Sequence, residues 1–362
     1  MRLIPASPAL LNTIISIAAL HQARRQLVEH SSKCEDMSPE PGSRVTTPGH
    51  STAIIDALKH KQLALKNIRN ELLNTDPENM VGTIASMLLL VWQDLMDSGT
   101  DSWKHHLDAL KGIVPTGLLS PKSPKTTPQS TPSLTLYNSF EVTYAAHDIR
   151  PKQRYLSTTI LYHADPTMMQ LCDGQSWAGC PAELLYIIFL VNNISRSQSS
   201  PAQLETHIIS LYEEFSPMKW AITNQVPRLM KPRFHLASAY KGAVGIYMSQ
   251  VMNGLHAGLS FESPPINSLD TVIFHLQSII PSDDHFKSLV WPTFVIGAET
   301  QQHFHRAVID DVFEHLDSIW RCENVRNASI VLRYLWEQND RRGYTGNWIN
   351  ELYGWGMDWI FI

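Results

Sequence analysis

Three stretches of this chain hold residue types that could do chemistry. Gly174-Gln175-Ser176-Trp177-Ala178 approaches the G-x-S-x-G elbow, which lifts a serine hydroxyl out of a strand-to-helix turn for acyl transfer. Its last glycine is missing and Thr167 to Asp173 make a poor buried strand, so the pattern argues against a hydrolase. Glu299 with His303, and Asp311 with His315, stand at i and i+4, which brings two metal-ligand types to one helix face. His303 and His305 are two apart and point to different sides of a helix, so a solvated acidic face is the expected reading. Gly112 and Gly117 have the glycine spacing of a phosphate loop, but no Lys-Ser/Thr follows. The residues therefore predict no catalytic group, no cofactor and no metal.

The elements around these residues are helical. Hydrophobic residues make up 43% of the 362 and charged residues 17%, which suits a helix-packed interior. The apolar stretch from Pro8 to Leu20 reads as a buried first helix, because only Arg2 precedes it and no small-x-small cleavage site follows before Arg24-Arg25. A second helix carries Ile54, Leu58, Leu65, Ile68 and Leu72 at 3–4 spacing, which predicts these as its core face. Thr75-Asp76-Pro77-Glu78 is a capping box for a helix over 79–97 that is apolar almost all round and belongs in a bundle's centre. Asp101 can cap the next, whose inner face is Trp103, Leu107 and Leu110. Pro181 and Pro201 open two more, followed by 234–252, 268–280, an apolar helix-like run from Leu289 to Glu299, the charged amphipathic 302–320 and a second amphipathic helix closed by Trp336. Alternating strand-like runs are nearly absent. The expected fold is all-α: one large, irregular multi-helix bundle over 1–362.

Two Pro/Ser/Thr-rich stretches, 31–50 and 115–135, cannot bury enough apolar surface to offset chain entropy and read as flexible insertions. They hold Ser-Pro and Thr-Pro pairs, making Ser120, Ser123, Thr127 and Thr131 candidate phosphorylation sites. A net charge of −5 and the lack of any long Lys/Arg run supply no field for nucleic-acid phosphates. No apolar run reaches the roughly 18 residues that span a bilayer. Cys34, Cys172, Cys180 and Cys322 are too dispersed for a disulfide framework, which predicts a reduced intracellular protein.

Four motifs recur in order along the chain. Ser7-Pro8-Ala9-Leu10-Leu11 is followed by Ala18-Ala19-Leu20-His21, and Trp103-Lys104-His105-His106-Leu107-Asp108-Ala109 closes a helix pair. Gly179-Cys180-Pro181-Ala182-Glu183-Leu184-Leu185 starts another helix. Last comes Trp291-Pro292 with Gly297 and Glu299, followed by Asn324 and Trp336. Together these resemble the all-helical regulatory domain of fungal-specific transcription factors, with Asp108 standing where glycine is usual in that family. The resemblance implies a nuclear regulator of RNA polymerase II transcription, possessing protein partners or a homodimer surface and a place for a small-molecule effector between helices. It also implies an N-terminal cluster of six cysteines holding two zinc ions against DNA. No two cysteines here are two residues apart, so the chain as given is expected not to bind DNA by itself.

Each motif residue has a plain physical reading as well. Trp103 and His106, at i and i+3, suit a core Trp beside a hydrogen-bonded His. Pro292 suits a first helical turn, Gly297 a close helix approach, and Glu299 a cap or a partner for Arg306. The C-terminal aromatics Trp348, Tyr353, Trp355, Trp359 and Phe361 read as core. Two alternatives stay open: an adaptor or co-regulator without a zinc cluster, and an enzyme of secondary metabolism on the same scaffold.

Overall fold

The computed structural model describes residues 7–34, 48–74, 77–99, 102–113, 179–194, 201–223, 230–255, 268–355 and 361. Among them it contains helices and no strand, as the periodicity predicts. The 115–135 insertion with its four candidate phosphorylation sites, the Gly174–Ala178 stretch and Trp359 lie outside the described residues, as does 35–47 of the other insertion. Residues 31–34 and 48–50 of that insertion are helical. The chain divides into two compact units, Met1–Tyr137 with Arg321–Glu323, and Asn138–Trp320 with Asn324–Ile362.

The first unit holds α1 (Pro8–Cys34), α2 (Pro48–Asn74), α3 (Pro77–Asp97) and α4 (Trp103–Ile113). Ser7 caps α1, its Oγ accepting from the Leu10 amide at 3.2 Å, and Pro8 follows in the first turn where its missing N–H costs nothing. Glu71 of α2 then ties three helices together. Its carboxylate accepts from the Ala9 amide at 3.0 Å, from Ser7 Oγ at 3.2 Å and from Thr83 Oγ1 of α3 at 2.7 Å. The α1–α2 seam is made of small residues: Ala9, Thr13, Ser16 and Ala23 on one side, and Ala53, Ala57 and Ala64 on the other, all buried. Ser16 Oγ reaches the Ala57 carbonyl at 2.6 Å, so the two backbones run close together.

That seam overturns the expected core face of α2. Of Ile54, Leu58, Leu65, Ile68 and Leu72, only Ile68 is buried, and Leu58 and Leu65 face outward. Spacing alone ranks leucine above alanine as a core residue. Close helix approach reverses the ranking, because small residues such as alanine, serine and threonine fit between adjacent backbones where leucine does not. The α3 expectation holds: Ile84, Met87, Leu88, Leu90, Val91 and Leu95 are all buried.

The second unit holds α5 (Ala182–Asn193), α6 (Pro201–Glu214), α7 (Pro217–Thr223), α8 (Met230–Leu255), α9 (Leu269–Gln277), a 3₁₀ turn (Phe286–Leu289), α10 (Val290–Ala298), α11 (His303–Trp320), α12 (Glu323–Arg342, from Asn324 on) and α13 (Trp348–Gly354). The long α8 is the hub, touching α5, α7, α9, α10 and α13. Its buried residues alternate bulk with alanine, from Leu236, Ala237, Ala239 and Tyr240 to Ala243, Val244 and Met248, which lets several neighbours approach at once. Short α7 and α13 carry too little periodicity to be predicted. Helix α12 runs six residues past Trp336, through Arg341 and Arg342, whose charges suit a helix C-terminus.

Candidate functional site

The motif residues of the second unit converge on α10. Every residue of Val290–Ala298 is buried, which a short helix tolerates only at the centre of a bundle. Trp291 stacks on Tyr240 of α8 with ring centroids 6.0 Å apart and meets Tyr247 edge-on at 5.8 Å. Trp348 of α13 continues the cluster against Phe294, which in turn lies 4.1 Å from Phe361. Trp348 and Phe361 are thus core, as expected, while Trp355 is only half-buried against Tyr334. Tyr247 is held at its polar end by Asn192, whose Oδ1 accepts its hydroxyl proton at 2.5 Å.

Glu299 follows α10 directly. Its Oε1 accepts from Trp348 Nε1 at 3.0 Å and from Gln250 Nε2. Burial pushes this carboxyl above the ordinary glutamate value, and the Gln250 and Trp348 hydrogen bonds only partly oppose that. Of the two expected roles, Glu299 does stand at the C-cap of α10, and the pairing with Arg306 does not occur. Arg306 turns instead to Asp340 of α12, with two parallel contacts of 2.7 Å, and gives a third bond to the Thr300 carbonyl at 3.3 Å. A planar fork finds a bidentate carboxylate one helix away more readily than a side chain already holding two neutral donors. Its guanidinium also lies 5.4 Å from the Trp336 ring. Trp336 Nε1 in turn donates to the Gly297 carbonyl at 2.8 Å.

Gly297 is required by space. A Cβ there would lie 2.9 Å from Leu332 Cδ1 and 3.0 Å from Ile309 Cγ2, so α11 and α12 close over it. Gly179 is required by both space and conformation: its φ is +61°, and a Cβ would fall 2.2 Å from Ser288 Oγ. Ser288 offers its carbonyl to the Tyr240 hydroxyl at 2.7 Å, so Gly179 sits beside the same aromatic cluster. Glu183 occupies the first turn of α5, where a carboxylate suits the helix dipole. Pro292 lies in the first turn of α10, and Asn324 is buried at the start of α12.

The remaining motif residues belong to the first unit and form a polar centre there. Trp103 is buried at the start of α4, and His106, one turn on, brings Nε2 within 3.3 Å of Asp94 Oδ2. Lys61 Nζ lies 2.5 Å from Asp94 Oδ1. Burial alone would raise the Asp94 carboxyl, but the hydrogen bonds and charges of His106 and Lys61 bring it below the ordinary aspartate value. Asp94 was legible only as a carboxylate beside the apolar run of α3, whose other two acids, Glu78 and Asp97, stand at the helix ends. A second buried polar contact, between His235 Nδ1 of α8 and His275 Nδ1 of α9 at 2.9 Å, gave no sequence signal because forty residues separate the two.

Among the described residues no three His, Cys, Asp or Glu side chains are grouped to hold a metal ion, and no helix is long and apolar enough to cross a membrane. A family model for the fungal-specific transcription factor domain matches residues 1–360. The chain belongs to that family. Within this fungal transcription factor domain, the recurring motifs are the contacts just described: a cap at Ser7, a helix-locking glycine at Gly297 and aromatic or ionic links between neighbouring helices. The acriflavine sensitivity control protein acr-2 of Neurospora crassa is 23% identical over 333 aligned residues, covering 83% of this chain and 54% of the relative. The chain thus spans about half the length of the curated relative it matches. No solved structure matches it.

Proposed function

We propose that this fungal transcription factor domain is the regulatory part of a nuclear transcription regulator and acts by binding, not by catalysis. The match over residues 1–360 carries the reading. The motif residues support it, since Trp291, Gly297, Glu299 and Trp336 are all engaged in holding helices to one another. Its occupants are a partner protein or a second copy, with a small-molecule effector between helices as a further input.

The test is a fusion of the full chain to an unrelated DNA-binding domain in a fungal reporter strain. Reporter transcription should rise or fall relative to the DNA-binding domain alone, and a fluorescent fusion should accumulate in the nucleus. An unchanged reporter with cytosolic fluorescence would overturn the reading. The relative's name speaks of acriflavine sensitivity, so growth of a deletion strain on acriflavine is the first phenotype to measure.

A further inference from the structure

The outward turn of α2 leaves a face whose composition is unusual for a solvated helix. Ile55, Leu58, Leu65 and Leu73 are 59%, 58%, 42% and 74% exposed. Interleaved with them are Lys59, Lys66 and Arg69, all exposed and with no acidic partner among the described residues. At about 100° per residue, these seven and Gln62 fall within an arc of roughly 120°. Leu58 and Leu65 form one edge of the arc, and Lys59 and Lys66 form the other.

We infer that this face binds an amphipathic helix of a partner protein, one that carries aspartate or glutamate along the flank of its apolar stripe. Ile55, Leu58, Gln62, Leu65, Arg69 and Leu72 follow the alternating 3–4 spacing that a second helix packs against. Charge decides which helix. In a chain of net charge −5, three unpaired cations gathered on one face call for an acidic occupant. An antiparallel second copy of α2 would set Lys59 and Lys66 against the same two cations, and a parallel copy would set them against the Leu58–Leu65 edge, which carries no carboxylate. A bilayer would have to bury Gln62 and Arg69, which lie in the middle of the arc, in hydrocarbon that offers them no acceptor, whereas a partner helix can answer both with polar or acidic side chains. The inference rests on the reading that the chain works through protein contacts, and it names the chemistry of one such partner.

The experiment uses the full chain and a designed, fluorescein-labelled peptide with leucine at heptad a and d positions and glutamate at e and g, which keeps the peptide from pairing with itself. Anisotropy should report saturable binding, with Kd on the order of micromolar, that weakens as salt is raised. Leu58→Glu/Leu65→Glu and Lys59→Glu/Lys66→Glu should each weaken it roughly tenfold or more. These positions are exposed, so both variants should keep the wild-type circular dichroism and Tm. A lysine version of the peptide should bind the charge-reversed variant better than it binds wild type, an exchange that no folding defect can produce. The inference is overturned if wild type does not bind the glutamate peptide, if the variants bind it equally, or if a scrambled peptide of the same composition binds as well. Preference for phosphatidylserine vesicles over the peptide, or a dimer that Leu58→Glu/Leu65→Glu abolishes, overturns it in favour of a bilayer or a second copy. The reporter fusion involves no peptide, so failure of the transcriptional reading remains separable from failure of this one.

Discussion

Trp336 of α12 donates its indole N–H to the carbonyl of Gly297 in α10 at 2.8 Å, across the point where a Cβ on residue 297 would strike Leu332 and Ile309. Two positions of one sequence motif thus mark the two sides of a single close helix contact. Replacing Trp336 by phenylalanine should cost about 2–3 kcal/mol, because the smaller ring leaves part of a buried site empty and the indole hydrogen bond is lost, although the Gly297 carbonyl keeps the Thr300 amide at 3.1 Å. Gly297→Ala gains roughly 1 kcal/mol of helix propensity but must displace Leu332 and the stiffer Ile309, with an overpacking cost of about 1–3 kcal/mol. Gly297→Val removes any balance and should be far worse. Urea denaturation of the three variants, ordered Val worst, checks this.

Glu299 should make the protein more sensitive to rising pH. Its folded-state carboxyl lies above its ordinary value of 4.5, so the folded state holds the proton more tightly than the unfolded state. The contribution is therefore favourable at low pH and is lost as pH rises from about 4.5 through the folded value. Glu299→Gln keeps an oxygen for Gln250 and Trp348 without the charge and should flatten that part of the stability profile. Glu299→Ala strips both donors of their acceptor and should lower Tm at every pH. Thermal melts from acid to neutral pH separate the two.

Asp94 should show the opposite sign. Its carboxyl is held below the ordinary 3.8, so its contribution is fully present above that value and disappears as pH falls through the folded one. At neutral pH Asp94→Asn should cost about 2–3 kcal/mol, since two charge-assisted hydrogen bonds lose their anion. The gap between wild type and variant should close below about pH 3.8.

His235 and His275 share one N···N contact of 2.9 Å, which needs one nitrogen to donate and the other to accept. Burial lowers both histidines from 6.5, with Lys231 adding to the effect at His235, and His235 adding to it at His275. The unfolded chain takes up protons first, so the pair's stabilisation is complete above about 6.5 and is lost as pH drops below it. The double variant His235→Leu/His275→Phe, with Phe234 and Phe274 already packed around the site, should lose stability less steeply between neutral pH and pH 5. Denaturant midpoints across that range decide it.

Helix positions were legible because each depends on local signals. Pro181, Pro201 and Ser268 mark helix starts, and Pro292 gives the apolar run over Val290–Ala298 the first turn of a helix. The ordered motifs fixed the family for the same reason, since they are the residues that local geometry cannot exchange. Partner choice was not legible. Arg306 chose Asp340 over Glu299, and His235 met His275, because distances between helices are set by packing and not by separation along the chain. The orientation of α2 was decided the same way. Its spacing supports a leucine face and an alanine face equally well, and only contact with α1, close enough for Ser16 to reach a backbone carbonyl, put the alanines inside. The sequence by itself determined which of the longer segments are helices and to what family they belong. Tertiary structure decided which faces are buried, because burial is a property of neighbours.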